Sequence, residues 1–432
     1  MPNLQNPVIV IPGISATSMD DRYPVKPNEL WSAVLNKEYE RISLHPDNPR
    51  FEAVEPSLVR PGQIFSLVYA DLVAALRYDL TSRSDHPTPV FPFPYDWRQK
   101  LEITGDQLHE FIEEVIARTR LLRHYKGYGE APKVDIVGHS MGGLVTGEYL
   151  HKYGSRGRVG KVATLGTPFQ GAVEAVVKLL TGMGNLSGTP PREREREASR
   201  SMASVYQLLP SFAKSIIPVG DPKPEKDLYK VSAWQPGILE SLEEYIRLHS
   251  VEPGNRQTRG VRAEALLQTF LRQAKKHRSR IDNLDLSSAG LNKDDWMAVV
   301  GMGAKTRISL TVGRDRRGPR FEINNDQFVN HWKGDKTSRL TGDSTVPLNG
   351  AIPRFLDEEQ IIAVTPDDFG FWEISDQAIL GVSGFHAILP RLNLSQRLVL
   401  KHLKPDYRGD LGGRPLPGIE ASDWRPPVAI QP

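Results

Sequence analysis

The 432-residue sequence contains no cysteine. That excludes disulfides, thiolate metal ligands and a cysteine nucleophile together. An excess of one charge is also lacking. The 55 Lys and Arg against 52 Asp and Glu leave a formal net charge of +3, so no nucleic-acid partner is expected, since that calls for a concentrated basic face. No segment approaches the roughly 18 consecutive apolar residues of a membrane span. The run Val8-Ile9-Val10-Ile11 is too short for a secretory h-region and follows no basic segment. Together these absences lead to the expectation of a cytoplasmic protein. What remains is an ordinary globular composition, 39% hydrophobic and 25% charged, in a length that suits one enlarged domain.

The apolar runs that are present are short and β-branched. Val8-Ile9-Val10-Ile11, ended by Pro12-Gly13, reads as a strand buried on both faces, as in a parallel sheet. Further strands are expected at 134–137, 159–165, 307–312 and 360–364. Apolar residues at helical spacing predict helices at 67–78, 107–122 and 144–153. Strand, helix and strand in alternation point to right-handed βαβ units on a mostly parallel sheet flanked by helices. The stretch at about 20–62 is rich in Pro, Asn and charge and reads as a small cap excursion. After Gly171 the rhythm changes. A helical insertion, a lid, is expected at 173–303, within a discontinuous core formed by 1–172 and 304–404. It includes a long helical stretch at 239–278 and an alternating Arg/Glu run at 192–197, which reads as a solvated helix face. The tail at 405–432 is rich in Pro and Gly and is expected to be extended.

Gly138-His139-Ser140-Met141-Gly142 lies between the 134–137 strand and the following helix. A G-x-S-x-G in that context is a nucleophile elbow: the chain turns sharply from strand to helix and exposes the Ser140 oxygen at the tip. Gly138 and Gly142 let neighbouring backbone pass close to the turn. His139 should point away from the Ser140 oxygen and pack instead. The elbow implies an acyl-transfer site whose acid and base follow the serine in the chain, in that order.

Among the later histidines, His151 lies in the elbow helix, and His249 and His277 lie in the insertion. That leaves His331, His386 and His402. His386 is favoured because Gly381-Val382-Ser383-Gly384-Phe385-His386 is a turn that can reach across the sheet edge. His402 falls near a helix C-terminus, where an imidazolium is favourable for other reasons. For the acid, Asp343 in Gly342-Asp343-Ser344-Thr345-Val346-Pro347 has donors behind it that would hold a carboxylate ionised. Asp315, just past the 307–312 strand, is its rival. The oxyanion needs two main-chain N–H groups. Met141 would supply one and Ile14, after Gly13 at the end of the first strand, the other. No metal or organic cofactor is called for. Because the base must be neutral, activity is expected to fall below the ordinary imidazole pKa of about 6.5.

Five motifs occur in a fixed order: Val10-Ile11-Pro12-Gly13, Phe93-Pro94-Tyr95-Asp96-Trp97-Arg98, the elbow, Leu165-Gly166-Thr167-Pro168 and Gly342-Asp343-Ser344-Thr345-Val346-Pro347. In this the chain resembles the lecithin:cholesterol acyltransferase family, which includes lysosomal phospholipase A2 and the phospholipid:diacylglycerol acyltransferases. The resemblance implies an α/β-hydrolase fold with a cap and a helical lid. It also implies an acyl-enzyme formed from a lipid ester and passed to water or an alcohol. Carried over by position, Ser140, Asp343 and His386 would form the triad, with Ile14 and Met141 as oxyanion donors. Gly13, Asp96, Trp97, Gly138 and Gly142 would support the site. The family's secreted and lysosomal members use disulfides near the site, and this chain can form none. The expected partner is an acyl-ester substrate, with transient contact between a lipid surface and the apolar stretches 176–180 and 212–219, unless those stretches pack the lid onto the core. The alternatives to a lipid acyl hydrolase or O-acyltransferase are a small-ester or thioester hydrolase that does not bind lipid interfaces, and a non-catalytic scaffold.

Overall fold

Six strands form a fully parallel sheet at the centre of the molecule. The computed structural model describes residues 4–32, 37–129, 131–182, 193–323, 327, 341–370 and 384–430. Across the sheet the order is Ile361–Val364, Trp296–Gly301, Val159–Leu165, Val134–His139, Val8–Ile11 and Val90–Pro92. Every neighbouring pair is parallel.

The first strand shows why these short runs settle here. Side chains alternate across a strand, so Ile9 and Ile11 enter the core on one face while Val8 and Val10 enter it on the other. All four are buried. The helices Leu101–Arg120 and Met141–Tyr153 cover one face. The helices Ser66–Asp79 and Asn393–Leu403 cover the other. This is the α/β-hydrolase layering expected above. From Val8–Ile11 the chain steps outward to Val90–Pro92, then returns to lay Val134–His139 on the opposite side. That reversal opens a crevice at the carboxyl ends of the two inner strands, where open α/β sheets bind ligands.

One expected boundary shifts. The strand Trp296–Gly301 falls inside the stretch read as insertion, yet it lies in the central sheet between Val159–Leu165 and Ile361–Val364. Its sequence, Trp-Met-Ala-Val-Val-Gly, is buried throughout, which fits it to a position covered on both faces. The strand expected at 307–312 is instead Leu310–Asp315. It belongs to a separate three-stranded sheet with Ile216–Pro218 and Gly318–Glu322. The long helical stretch is two helices, Pro236–His249 and Arg256–Asp282, broken near Pro253 and Gly254. Asn255 caps the second by accepting from the Thr258 amide at 2.9 Å.

The cap excursion forms an antiparallel sheet, with Thr17–Asp21 between Asn28–Trp31 and Val59–Ile64, plus a hairpin of Leu44–His45 and Asn48–Glu52. Of the two apolar stretches, Val176, Val177, Leu179, Leu180, Phe212 and Ile216 are buried, while Ile217 and Val219 remain exposed. Among the described residues no helix is long and apolar enough to cross a membrane. The tail packs back onto the core through Leu411, Leu416, Trp424 and Val428, and Arg414 bridges to Ala363.

Candidate active site

Ser140 ends the Val134–His139 strand and starts the helix Met141–Tyr153, at φ 54° and ψ −126°. A non-glycine residue in that region carries backbone strain, and the surroundings hold it there. Its N–H donates to the Leu165 carbonyl at 2.9 Å and its carbonyl accepts from Gly143 at 3.2 Å. Close approach explains two of the glycines. A Cβ on Gly142 would come within 2.3 Å of the Ile11 carbonyl oxygen, and one on Gly13 within 2.9 Å of the Ser140 Cβ.

His386 reaches Ser140 from the short helix Phe385–Ile388. Its Nε2 lies 2.9 Å from the Ser140 Oγ and its Nδ1 lies 2.6 Å from the Asp343 Oδ2. Asp343 is buried, and its other oxygen, Oδ1, accepts from the Thr345 and Val346 amides at 3.0 and 2.7 Å. Those two bonds fix the carboxylate while Oδ2 faces the imidazole. Ser140 thus meets two residues that lie more than two hundred positions further along the chain and 43 positions from each other.

The rival residues lie elsewhere. Asp315 ends its strand in a turn, where Oδ1 accepts from the Arg317 amide at 2.7 Å. His402 is buried on the Asn393–Leu403 helix with Nε2 at 3.2 Å from the Asp295 carbonyl oxygen. Burial pulls its pKa down to about 4. His277 pairs with Glu148 at 2.5 Å, and His331 lies outside the described residues.

His139 packs as expected and also joins a chain of hydrogen bonds. The Gly13 N–H donates to the Tyr69 Oη at 2.9 Å. Tyr69 donates in turn to His139 Nδ1 at 2.7 Å, and His139 Nε2–H donates to the His386 carbonyl at 3.0 Å. This chain needs a neutral His139. Burial, reinforced by the neighbouring His386, holds its pKa well below the usual imidazole range. The turn that carries Ile14 is thereby tied to the backbone that carries His386. The Gly13 amide is spent on Tyr69, and Ile14, the next residue, also lines the cavity beside Ser140. Met141 opens the elbow helix and is fully buried.

The Tyr95-Asp96-Trp97-Arg98 segment braces the same region. Tyr95 Oη donates to the Pro12 carbonyl at 2.9 Å. Trp97 Nε1 donates to the Thr17 carbonyl at 3.0 Å, and its ring lines the cavity. Asp96 touches no reacting atom. It holds Arg98, which is fully buried and also bonds Glu52 at 2.9 Å and the Ile42 carbonyl at 3.0 Å. Burial alone would raise the Asp96 pKa, but the Arg98 guanidinium overrides it and holds the carboxyl below its usual range.

A cavity of about 370 Å³ opens at Ser140 and His386. Its walls are largely apolar, among them Ile14, Val68, Met202, Val205 and Leu208, and Lys178 and Glu195 also line it. Sequence reading missed three residues here: Tyr69, Lys178 and Glu195. Glu195 sits in the Arg/Glu run read as solvated, yet its side chain is 2% exposed and pairs with Lys178. Tyr69 gave no signal, since an aromatic on an amphipathic helix reads as core. Among the described residues no group of acidic and histidine side chains could hold a metal ion.

Comparison with known proteins bears on the fold and on the family resemblance. The family model described as lecithin:cholesterol acyltransferase matches residues 73–245. That span includes the elbow and much of the insertion and ends before Asp343 and His386, and over it the resemblance to the family holds. No curated protein sequence matches the chain. Among solved structures, a chain in the crystal structure of the Tle4–Tli4 complex shares the fold, with a TM-score of 0.59 at 14% identity, covering 92% of this chain and 98% of that one. The mature form of the Bacillus licheniformis lipase BlEst2 aligns at a TM-score of 0.27 and 14% identity, over 48% of this chain and 56% of that one.

Proposed function

We propose that the chain is a serine-dependent lipid acyl hydrolase or O-acyltransferase that works through an acyl-enzyme on Ser140. The observation that carries the reading is the pair of contacts made by one imidazole, 2.9 Å to the Ser140 Oγ and 2.6 Å to Asp343. His386 Nδ1–H donates to Asp343, which leaves Nε2 to accept the Ser140 hydroxyl proton as Oγ attacks the ester carbonyl. Asp343 keeps the ring in that tautomer and steadies the imidazolium. The amides of Ile14 and Met141 receive the oxyanion. The imidazolium then protonates the leaving alcohol, and the acyl-enzyme remains. Water or a second alcohol, deprotonated by the same imidazole, completes the cycle. The mostly apolar walls of the cavity suit the acyl chain of a lipid ester, which supports a lipid substrate.

The test is labelling with a fluorophosphonate that traps activated serines, applied to the wild type, Ser140→Ala and His386→Ala. These proteins are then assayed on acyl p-nitrophenyl esters of increasing chain length. Labelling lost in both variants, with turnover rising toward long chains, is the expected result. Undiminished labelling of Ser140→Ala overturns the assignment. Turnover confined to short chains turns the reading to a small-ester hydrolase.

A further inference from the structure

The cavity has a second polar end. Lys178 and Glu195 line it together with Trp31 and Ser199. Lys178 follows Ala175 by three residues on one face of the helix Val173–Thr181, and both line the cavity. It therefore stands about 4.5 Å beyond Ala175 along the helix axis. The ammonium pairs with Glu195 and donates to the Gly182 carbonyl at 3.1 Å. An ammonium has three N–H donors, so one is left over. Trp31 supplies a second open donor: its side chain is buried and its indole N–H has no partner, although buried indoles ordinarily find one.

Stability does not account for this arrangement. A buried ion pair is seldom better than apolar side chains of the same volume. Here the desolvation is still felt, since burial lowers the Lys178 pKa despite Glu195. An unmade indole hydrogen bond is a further cost.

We propose that Lys178, Glu195 and Trp31 form a subsite for an uncharged, hydroxyl-bearing head on the ester substrate, such as a glyceryl or sugar group. The proposal rests on the Ser140 ester chemistry proposed above. Charge decides against an anionic head. The charged residues lining the cavity are Lys178, Glu174 and Glu195; Lys37, outside that lining, also acts on Lys178. Glu174 is answered by Arg307 at 3.4 Å, and the Lys178 ammonium is already neutralised by Glu195. A phosphate would bring a second negative charge against the Glu195 carboxylate in a desolvated site. A hydroxyl meets no such penalty: it accepts from the ammonium or the indole and donates to the carboxylate.

The test compares three substrates with one acyl chain, a monoacylglycerol, the methyl ester and the lysophosphatidylcholine. The full-length proteins are the wild type, Trp31→Phe and Lys178→Met/Glu195→Gln, the double variant removing both charges so that neither is left buried alone. We expect the wild type to prefer the glyceryl ester. The ratio of kcat/KM for glyceryl over methyl ester should fall at least about tenfold in the double variant. In Trp31→Phe it should fall about threefold to tenfold, mainly through KM. A ratio that stays within about twofold in both variants overturns the subsite, as does an equal loss on both esters, which marks a structural role. Wild-type preference for the lysophospholipid, lost in the variants, overturns the uncharged head. Failure of the ester reading looks different: no Ser140-dependent turnover of any of the three.

Discussion

The two ends of the cavity use their polar atoms differently. At the Ser140 end the side chains of Ser140, Asp343, His386 and His139 are already satisfied by their neighbours. Asp343 accepts two amides and the His386 imidazole, and both nitrogens of His139 are engaged. At the Lys178 end a donor is left over on the ammonium and another on Trp31. The first arrangement is rigid before any ligand arrives, as chemistry that depends on preorganised dipoles requires. The second is incomplete until something binds. A single cavity can thus hold a finished site and an unfinished one, and each responds differently to substitution.

The largest effect should come from breaking the finished end. Asp343→Asn keeps the shape but favours the wrong imidazole tautomer, so kcat should fall about 10³- to 10⁴-fold, measured on any ester the wild type turns over. A loss below tenfold would mean that His386 is not oriented by this carboxylate. Next comes Arg98→Met, which leaves Asp96 and Glu52 without their shared buried cation. It should destabilise the fold by about 3–5 kcal/mol, read from urea unfolding, and loosen the cap excursion that carries Trp31.

Tyr69→Phe is expected to be milder. It strands the Gly13 amide and the His139 Nδ1, a loss of about 1–3 kcal/mol. Because both groups flank Ser140, fluorophosphonate labelling should slow while the glyceryl-to-methyl preference stays with the other end. If Tyr69→Phe shifts that preference as strongly as the Lys178 variant does, the two ends are not separate.

The smallest effect is on acid stability. The folded-state pKa of His402 is lowered to about 4, so between there and about 6.5 the unfolded chain takes up a proton that the folded chain refuses. Stability is therefore lost as pH falls through that window, by about 1.4 kcal/mol at pH 5.5 for this one residue. His139 and His277 act in the same direction. Asp135, raised to about 6 by burial, acts against them, because the folded state gains from protonating it. His402→Gln should reduce the difference between urea midpoints at pH 7.5 and 5.5. An unchanged difference would show that His402 titrates normally.

Much of the fold was legible because strands of a parallel sheet covered by helices on both faces are written as short, uninterrupted apolar runs. Val8–Ile11 and Val159–Leu165 were read to the residue. Trp296–Gly301 was equally apolar, but it lay amid helical sequence and was assigned to the insertion. No local signal says which sheet a strand joins, and the 307–312 strand was misplaced for the same reason. The juxtaposition of Ser140, Asp343 and His386 could be anticipated from turn chemistry and chain order. Glu195 could not, because an alternating Arg/Glu run reads as a solvated face whatever the fold later brings against it.

By itself, then, the sequence determined the local pieces: the apolar strands, the strained turn at Ser140 and the Asp343 turn with donors behind it. These depend on neighbours within a few residues, where backbone geometry and side-chain type act directly. Tertiary structure alone decided that Tyr69 links the Gly13 turn to His139, that Arg98 also holds Glu52, and that Lys178 and Glu195 meet inside the cavity. Those contacts join residues from 17 to 70 positions apart in the chain. Their partners were settled by which faces the helices buried, and spacing along the chain does not encode that.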